Sequence, residues 1–355
     1  MNIIKLPDKI TEYPIWQEKN KFIYKLKAVE DFLKYNNNYT NKKKVYICIL
    51  CKKKIKVIFY KSPVYLWEST LYHIIDEHNY KPNKIFIKFI FDYKININTT
   101  IKRVTIFKSH KYVINNLSYV KLTNNQLMIL DALMEHGGYK KKYHKYSKKK
   151  LSFVYSEHSG LLDFDNSGLE RIIVSGKTDR KDPSDNTIFL PNNLDDAIDY
   201  EYIFHTHPPT PTPGGRAKDG ILYEFPSISD LFHFIDHFND GITQGSIVVT
   251  SEGIYNIRKL IFNEEKININ ENKLLDKMRK TLEIIQDLAI EKYGIKFTDH
   301  FFYSKIAQDK TYINMYNDSL KEFKLFVDFF PRSLDKNGSW ILEEIYLPIF
   351  IIEKK

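Results

Sequence analysis

Apolar residues recur along the chain with two spacings, one typical of strands and one typical of helices. Residues 200–207 are largely apolar and aromatic up to their end, and this stretch predicts a strand. In 124–136, leucines recur every third residue before Gly137, which predicts a helix that ends there. A longer helix is predicted before Gly294, and its apolar face comprises Leu274, Leu275, Met278, Leu282, Ile285 and Ala289.

The same patterns divide the chain into three segments of an α/β protein of the α+β kind. Residues 1–120 form a small α+β module, in which 84–93 and 102–107 alternate polar and apolar residues and predict strands. Residues 121–262 form a central domain, and 263–355 form a mainly helical C-terminal region whose aromatic stretches pack on that domain. A chain of 355 residues exceeds a typical single domain, and it contains no internal repeat.

Two histidines stand at the end of the strand predicted over 200–207. His205 and His207 are two residues apart, so they project from the same face of a strand and can bind one ion. Pro208 then stops the strand. Asp230 falls in the first turn of a helix predicted over 227–238, and its carboxylate can complete a three-ligand zinc site that leaves a fourth position for water. Glu157 can supply the general base.

Each part of this pattern also has a purely structural interpretation. Ser227 and Asp230 fit a capping box at a helix start, and both roles are compatible. The two histidines can be hydrogen-bonded core residues. A rival ligand set, His233 and His237, shares a helix face with Asp230, but Phe234 stands where the helical zinc-protease motif needs glutamate. We interpret that pair as core residues or as support around the site.

The order of these residues resembles the JAMM, or MPN-domain, metalloproteases. Their pattern is a glutamate in an E-x-x-G segment, then H-[ST]-H-P, then S-x-x-D, and here it occurs at 157–160, 205–208 and 227–230. The resemblance covers roughly residues 125–262 and implies an MPN-like domain with a mixed sheet flanked by helices. It implies zinc ligation by His205, His207 and Asp230, proton transfer by Glu157 and oxyanion contact by Ser227. Active members of the family include isopeptidases that remove ubiquitin or related modifiers from lysine.

One spacing departs from the family pattern. The stretch 209–226, rich in proline and glycine, separates the histidines from the S-x-x-D segment, whereas this gap is usually short in the family. Such a composition predicts a loop, which would lie at the rim of the cleft. Its length bears on the identity of the substrate more than on metal binding.

A second metal site is predicted near the N-terminus. Cys48 and Cys51 form a C-x-x-C pair, and His73 and His78 follow on a helix predicted over 69–78, which makes a Cys2His2 set. The spacer 52–72 is longer than in DNA-reading fingers, so a structural zinc ion is the expectation. The alternative is a reduced C-x-x-C turn with both histidines facing solvent. A disulfide is disfavoured because nothing else indicates secretion.

Composition, charge and missing motifs limit the partners, the location and the activities that the chain can have. The net charge of +10 permits contact with nucleic acid, acidic proteins or membrane surfaces, although AT-rich codon usage alone would enrich lysine. No apolar run reaches the roughly 18 residues of a membrane span, and the N-terminus lacks a signal-peptide pattern, so we expect an intracellular protein of the cytoplasm or nucleus. A large DNA virus of eukaryotes or a eukaryote with an AT-rich genome is a suitable source, and in the viral case association with the virion is also expected. No P-loop fits, because its first glycine would fall on Arg171, and no nucleophile elbow occurs.

Three function classes follow. The first is a zinc-dependent isopeptidase or peptidase with two zinc ions, one catalytic and one structural, that acts on a ubiquitin-like or other protein substrate. The second is a catalytically silent MPN scaffold in a larger assembly, although no ligand of the pattern is missing here. The third is a basic zinc-finger protein that binds nucleic acid. The enzyme is favoured, because a purely structural zinc site would not need the accompanying glutamate and serine.

Overall fold

The computed structural model describes residues 2–7, 10–95, 112–113, 117–137, 140–143, 151–154, 157–165, 168–175, 200–210, 212–241, 243–263, 265–349 and 352–353. Within these ranges the chain mixes helices with several sheets, which agrees with the predicted α+β class. The described α-helices are Lys19–Tyr35 (α1), Ser69–His78 (α2), Lys84–Asp92 (α3), Asn124–His136 (α4), Ile228–Asp240 (α5), Glu271–Tyr293 (α6), Asp299–Phe301 (α7) and Thr311–Leu320 (α8).

The strands fall into one six-stranded sheet, one four-stranded sheet and several two-stranded pairs. They are Asn2–Ile3 (β1), Tyr39–Ile47 (β2), Lys54–Lys61 (β3), Tyr65–Glu68 (β4), Tyr112–Val113 (β5), Ser118–Leu122 (β6), Lys140–Tyr143 (β7), Leu151–Val154 (β8), Ser159–Asp165 (β9), Gly168–Val174 (β10), Tyr202–Thr206 (β11), Gly245–Val249 (β12), Gly253–Lys259 (β13), Leu325–Pro331 (β14), Ser333–Leu334 (β15), Trp340–Ile341 (β16), Ile345–Ile349 (β17) and Ile352–Glu353 (β18).

The six-stranded sheet has the order β10-β9-β11-β12-β13-β14 and is mixed. Its central strands β11 and β12 run parallel, and the other neighbours are antiparallel. Because strand residues alternate between faces, Ile247 and Val249 point into one core and Val248 into another. Helices α1 and α4 contribute to the first core, and α5, α6 and α8 contribute to the second. The sheet is therefore the middle layer of three.

The N-terminal residues form their own sheet, with the order β1-β4-β3-β2. Helices α1 and α2 contact β3, and Trp67 of β4 is fully buried, with its indole N–H donating to Glu30 of α1 at 2.9 Å. Strand β2 is an edge of this sheet. Cys48 and Cys51 lie in the turn that connects β2 to β3, which places them at one end of the sheet.

Several predicted elements are present. Helix α4 begins with a capping box formed by Thr123 and Gln126, and α6 ends at Gly294, whose φ of 75° favours glycine. On α6 the residues Leu274, Met278 and Ile285 are fully buried, as the predicted apolar face requires. The last third of the chain also supplies a strand to the central sheet, because β14 pairs with β13 along its whole length.

The strand predicted over 84–93 is wrong, because the structure has helix α3 there. The side chain of Asn83 caps the helix by accepting the backbone N–H of Phe86, and Phe86 and Ile90, four residues apart, are fully buried on one face. The sequence alternates, but its large apolar residues also recur at helical spacing, so tertiary packing decided between the two periods. The strand predicted over 102–107 lies outside the described residues.

Candidate metal sites

The ends of three strands and one helix meet at the first site. His205 lies within β11, and the ladder to β12 continues past the strand, since the N–H of His207 donates to the carbonyl of Val249 at 2.9 Å. This pairing fixes both histidines on the same side of an extended chain. Strand β9 runs antiparallel to β11, with Ser159 opposite His205, so Glu157 precedes β9 beside the end of β11.

Helix α5 brings Asp230 to the same place. Its N-cap is Ser227, whose hydroxyl accepts the N–H of Asp230 at 3.2 Å, and the Asp230 carboxylate accepts the N–H of Ser227 at 2.6 Å. The predicted capping box therefore exists, and it fixes the position of the Asp230 carboxylate. The cap satisfies backbone groups and orients Asp230 at the same time, so the two interpretations of this motif are compatible.

The three side chains converge closely enough to share one cation. The Nε2 atoms of His205 and His207 are 3.2 Å apart, and those atoms lie 3.3 Å and 3.7 Å from the nearer carboxylate oxygens of Asp230. Ligands about 2.0 to 2.1 Å from a tetrahedral ion are about 3.3 Å from one another. The separations and the donor set of two imidazoles and a carboxylate fit a metal ion with an open position.

The carboxylate of the group already has the charge that a metal ligand needs, whereas His207 would have to lose a proton to bind a metal ion. Burial alone would raise the pKa of Asp230, but the charge of His205 and hydrogen bonds to both imidazoles hold it well below its ordinary value, so the carboxylate is ionised at neutral pH. Burial acts against the charged form of His207, yet its hydrogen bond to Asp230 raises its pKa to about 9. Binding of a cation there would displace a proton.

A carbonyl oxygen sets the orientation of the His207 ring. Its Nδ1 lies 3.3 Å from the carbonyl of Glu224, and because a carbonyl only accepts, Nδ1 carries a proton and Nε2 is left to face the ligand group. The backbone of Glu224 is held in turn by Glu252, whose carboxylate accepts the Glu224 N–H at 2.6 Å and the hydroxyl of Tyr255 at 3.0 Å. Neither glutamate belongs to the pattern that predicted the site.

The candidate metal-binding group of His205, His207 and Asp230 opens into a cleft of about 560 Å³. Glu157 lines this cleft together with His207, Ser227 and Asp230, and it is close enough to His207 to act on its charge. Glu157 is half-buried, which leaves its carboxylate accessible from the cleft. The Asp230 carboxylate thus contacts both imidazoles, whereas Glu157 lies at the wall of the cleft.

The long segment before α5 forms part of the cleft wall. Arg216 and Glu224 form an ion pair of 2.8 Å there, and both line the cleft. The segment is anchored to α6 by Gln286, whose side chain accepts the N–H of Leu222 at 2.8 Å and donates to the carbonyl of Tyr223 at 2.8 Å. The described part of the segment is therefore packed on the C-terminal region. In the sequence, the one indication of this contact is that Gln286, a polar residue, falls on the buried face of α6.

The rival histidines take no part in the group. His233 and His237 are half-buried on α5, and burial lowers the pKa of His237. Within the described residues, the metal-binding group around Asp230 contains His205 and His207 and neither of these two. The interpretation of the pair as supporting residues stays a prediction.

The second site is the predicted Cys2His2 set. The Sγ of Cys48 lies 3.2 Å from Nε2 of His78, and the Sγ of Cys51 lies 3.4 Å from Nε2 of His73, and all four ligand atoms lie within 4.8 Å of one another. With metal–sulfur distances of about 2.3 Å, a tetrahedral ion would separate sulfur and nitrogen ligands by about 3.5 Å. The four residues could therefore hold one metal ion. The alternative with both histidines facing solvent is wrong, because His73 and His78 are buried.

Neighbouring groups orient His78 and favour the thiolate of Cys48, whereas burial raises the pKa of the Cys51 thiol. The carboxylate of Glu12 accepts Nδ1–H of His78 at 2.7 Å, which turns Nε2 towards the sulfurs. Burial raises the pKa of the Cys48 thiol, but hydrogen bonds from the backbone N–H groups of Cys51 and Leu50 outweigh it and lower the pKa overall.

The chain is similar to an uncharacterized protein of Acanthamoeba polyphaga mimivirus, with 37 % identity over 302 residues that cover 84 % of each chain. The protein belongs to the family of this mimivirus protein. The relationship supports the predicted origin in a large DNA virus. No family model matches the chain, and no solved structure matches it. Within the described residues, no helix combines the length and apolar character needed to cross a bilayer.

Proposed function

We propose that the protein is a zinc-dependent metallopeptidase of the JAMM type, which hydrolyses an isopeptide or peptide bond of a ubiquitin-like conjugate. The observation that carries the proposal is the convergence of His205, His207 and Asp230 at a cleft that Glu157 also lines. A purely structural site would need a fourth protein ligand and no second carboxylate. Three ligands, an open side and a nearby acid–base group together favour hydrolysis.

The residues have separate roles in this proposal. His205, His207 and Asp230 would hold a zinc ion, which when bound polarises the substrate carbonyl and makes a water acidic near neutral pH. Glu157 takes the proton of the attacking water and delivers it to the leaving amine, which restores the carboxylate. The hydroxyl of Ser227 accepts from Asp230, so its own proton points elsewhere and can donate to the oxygen that becomes negative.

The walls of the cleft would position the substrate. The lining includes Arg216 and Glu224 of the segment before α5, and Leu282 and Glu283 of α6. A volume of about 560 Å³ suits a few extended residues around the scissile bond. We propose zinc for the Cys2His2 set as well, where four protein ligands leave no position for water and a structural role follows.

The test uses a panel of ubiquitin-like conjugates and zinc-loaded protein. Glu157→Gln should retain zinc and bind the conjugate but lose hydrolysis by roughly 10²- to 10⁴-fold, because the amide matches the carboxylate in size and cannot accept the proton. His207→Ala should lose one zinc ion per chain together with activity. Zinc is counted by elemental analysis and turnover by release of the free modifier.

A matched control is Glu283→Gln, which removes another carboxylate that lines the same cleft. It should leave the zinc content unchanged and cost far less activity than Glu157→Gln. Equal turnover by the wild type and Glu157→Gln would refute the mechanism. Zinc-loaded protein that cleaves no conjugate of the panel, yet binds one, would favour the silent scaffold instead.

A further inference from the structure

The positive charge of the chain is concentrated in one hairpin. Residues 39–61 contain eight lysines and no acidic residue, whereas the rest of the chain has 46 lysines and arginines against 44 acidic residues. This stretch comprises β2, β3 and the turn with Cys48 and Cys51. Lys53 pairs with Glu77 at 2.6 Å, while Lys44, Lys54 and Lys56 are exposed and form no ion pair with the described residues. The hairpin accounts for most of the net charge of +10.

The tip of the same hairpin exposes large aliphatic side chains. Ile49 and Leu50, between the two cysteines, are 58 % and 38 % exposed, and Ile47 just before them is 53 % exposed. Val45 and Ile47 lie directly opposite Lys56 and Lys54 in the β2–β3 ladder, so these four side chains project from one face. An exposed aliphatic cluster bordered by lysines is costly in water unless another surface covers it.

The fold holds this tip in place. Cys48 and Cys51 are tied to α2 through His78 and His73, and the backbone closes the turn with two hydrogen bonds of 2.9 Å between Cys48 and residues 52 and 53. Lys52 takes a left-handed φ of 60° in this turn. The aliphatic side chains are therefore presented by a closed and braced turn, and no large conformational change is needed to expose them.

We propose that this tip, Ile47 to Leu50 with the surrounding lysines, is a docking surface for an anionic lipid bilayer. The lysines would lie at the headgroups and the aliphatic side chains would enter the apolar layer, which is the arrangement of interfacial anchors. A nucleic acid fits less well, because its phosphates would use the lysines but its bases stack on aromatic rings and would leave Ile49 and Leu50 in water. A second copy of the chain fits less well too, because its own lysine-rich hairpin would repel this one.

The test is sedimentation of the full chain with sucrose-loaded vesicles, either of phosphatidylcholine alone or with about 30 % phosphatidylserine, at about 0.1 M salt. We expect binding only to the phosphatidylserine vesicles, with release at about 0.5 M salt. Lys54→Gln with Lys56→Gln should weaken binding by about fivefold per lysine. Ile49→Ser with Leu50→Ser should weaken it by roughly tenfold or more while the charge stays the same.

Matched variants on α6 and just after it provide controls. Ile284→Ser with Leu288→Ser removes an equally exposed aliphatic pair, and Lys280→Gln with Lys296→Gln removes the same charge from elsewhere on the surface. Both should bind vesicles like the wild type. Vesicle binding that ignores phosphatidylserine, or that survives Ile49→Ser with Leu50→Ser, would overturn the proposal. Tighter binding to a single-stranded or duplex oligonucleotide that is lost in Lys54→Gln with Lys56→Gln, but not in the tip variant, would assign the surface to nucleic acid instead. Concentration-dependent self-association lost in the tip variant would assign it to a dimer.

Discussion

The burial of Glu252 predicts a pH dependence of the free energy of unfolding, and the size of this dependence follows from the structure. It lies in the turn between β12 and β13, is 1 % exposed, and holds the backbone of Glu224 behind His207. Burial, with the nearby charge of Glu224, raises its pKa from 4.5 to about 7. The folded state therefore holds this proton more tightly than the unfolded state does. The stability from the protonated carboxyl is complete below pH 4.5 and is lost as the pH rises through about 7.

The loss between pH 5 and pH 8 amounts to about 2.5 kcal/mol, at about 1.4 kcal/mol for each tenfold change in proton binding. Glu252→Gln stays neutral throughout, so its free energy of unfolding should lack this part of the pH dependence. Urea unfolding of both proteins at pH 5 and pH 8 gives the difference, in which any constant effect of the amide cancels. Glu283→Gln, at an exposed position, should follow the wild type.

Parallel stability curves for the wild type and Glu252→Gln would show that Glu252 titrates as an ordinary carboxyl and that its burial has little energetic consequence. The amide can still accept the Glu224 N–H through its oxygen, so Glu252→Gln should keep the zinc content of the wild type. Glu252→Ala should lower zinc affinity, because it leaves that N–H without its acceptor and loosens the carbonyl that orients His207.

Two further predictions concern the metal sites. Cys48→Ser should remove one of two zinc ions, measured by elemental analysis, and should lower the thermal midpoint of unfolding, because such sites contribute folding energy directly; an unchanged zinc content would contradict it. Ser227→Ala should cost about 1 kcal/mol of stability through the lost helix cap, read from urea unfolding, and should slow turnover further, since the oxyanion contact is also removed. A variant with lower stability and unchanged turnover would leave Ser227 with the cap alone.

The parts of the structure that depend on local sequence were predictable. The capping pair Ser227 and Asp230, the two-residue spacing of His205 and His207 and the C-x-x-C turn are short patterns with a direct geometric meaning, and the structure gathers each set where the spacing indicated. These agreements between sequence and structure concern only the positions of the side chains. The catalytic roles and the identity of the metal remain predictions, as do the boundaries of the three segments.

The parts that depend on distant contacts were not predictable. Helix α3 was mistaken for a strand because its apolar residues satisfy both periods, and only the core around Phe86 distinguishes them. Glu252 and Gln286 act through the backbone of residues 28 and 64 positions away, so no spacing in the sequence connects them to His207. The pairing of β6 with β17 is equally remote from any local pattern.

The pairing of β13 with β14 affects the stage of synthesis at which the proposed site becomes complete. The N-terminus of α5 is fixed from the far end of the chain, because Tyr316 of α8 donates its hydroxyl to the carbonyl of Pro226 at 2.9 Å, one residue before the Ser227 cap. A nascent chain that has released only its first 260 residues from the ribosome has every proposed catalytic residue but not this brace, nor the strand that covers β13. Synthesis proceeds at about 5 to 20 residues per second, so the site would stay incompletely braced for about 5 to 20 seconds after its last ligand has been made. Its activity would thereby depend on the synthesis of α8 and β14.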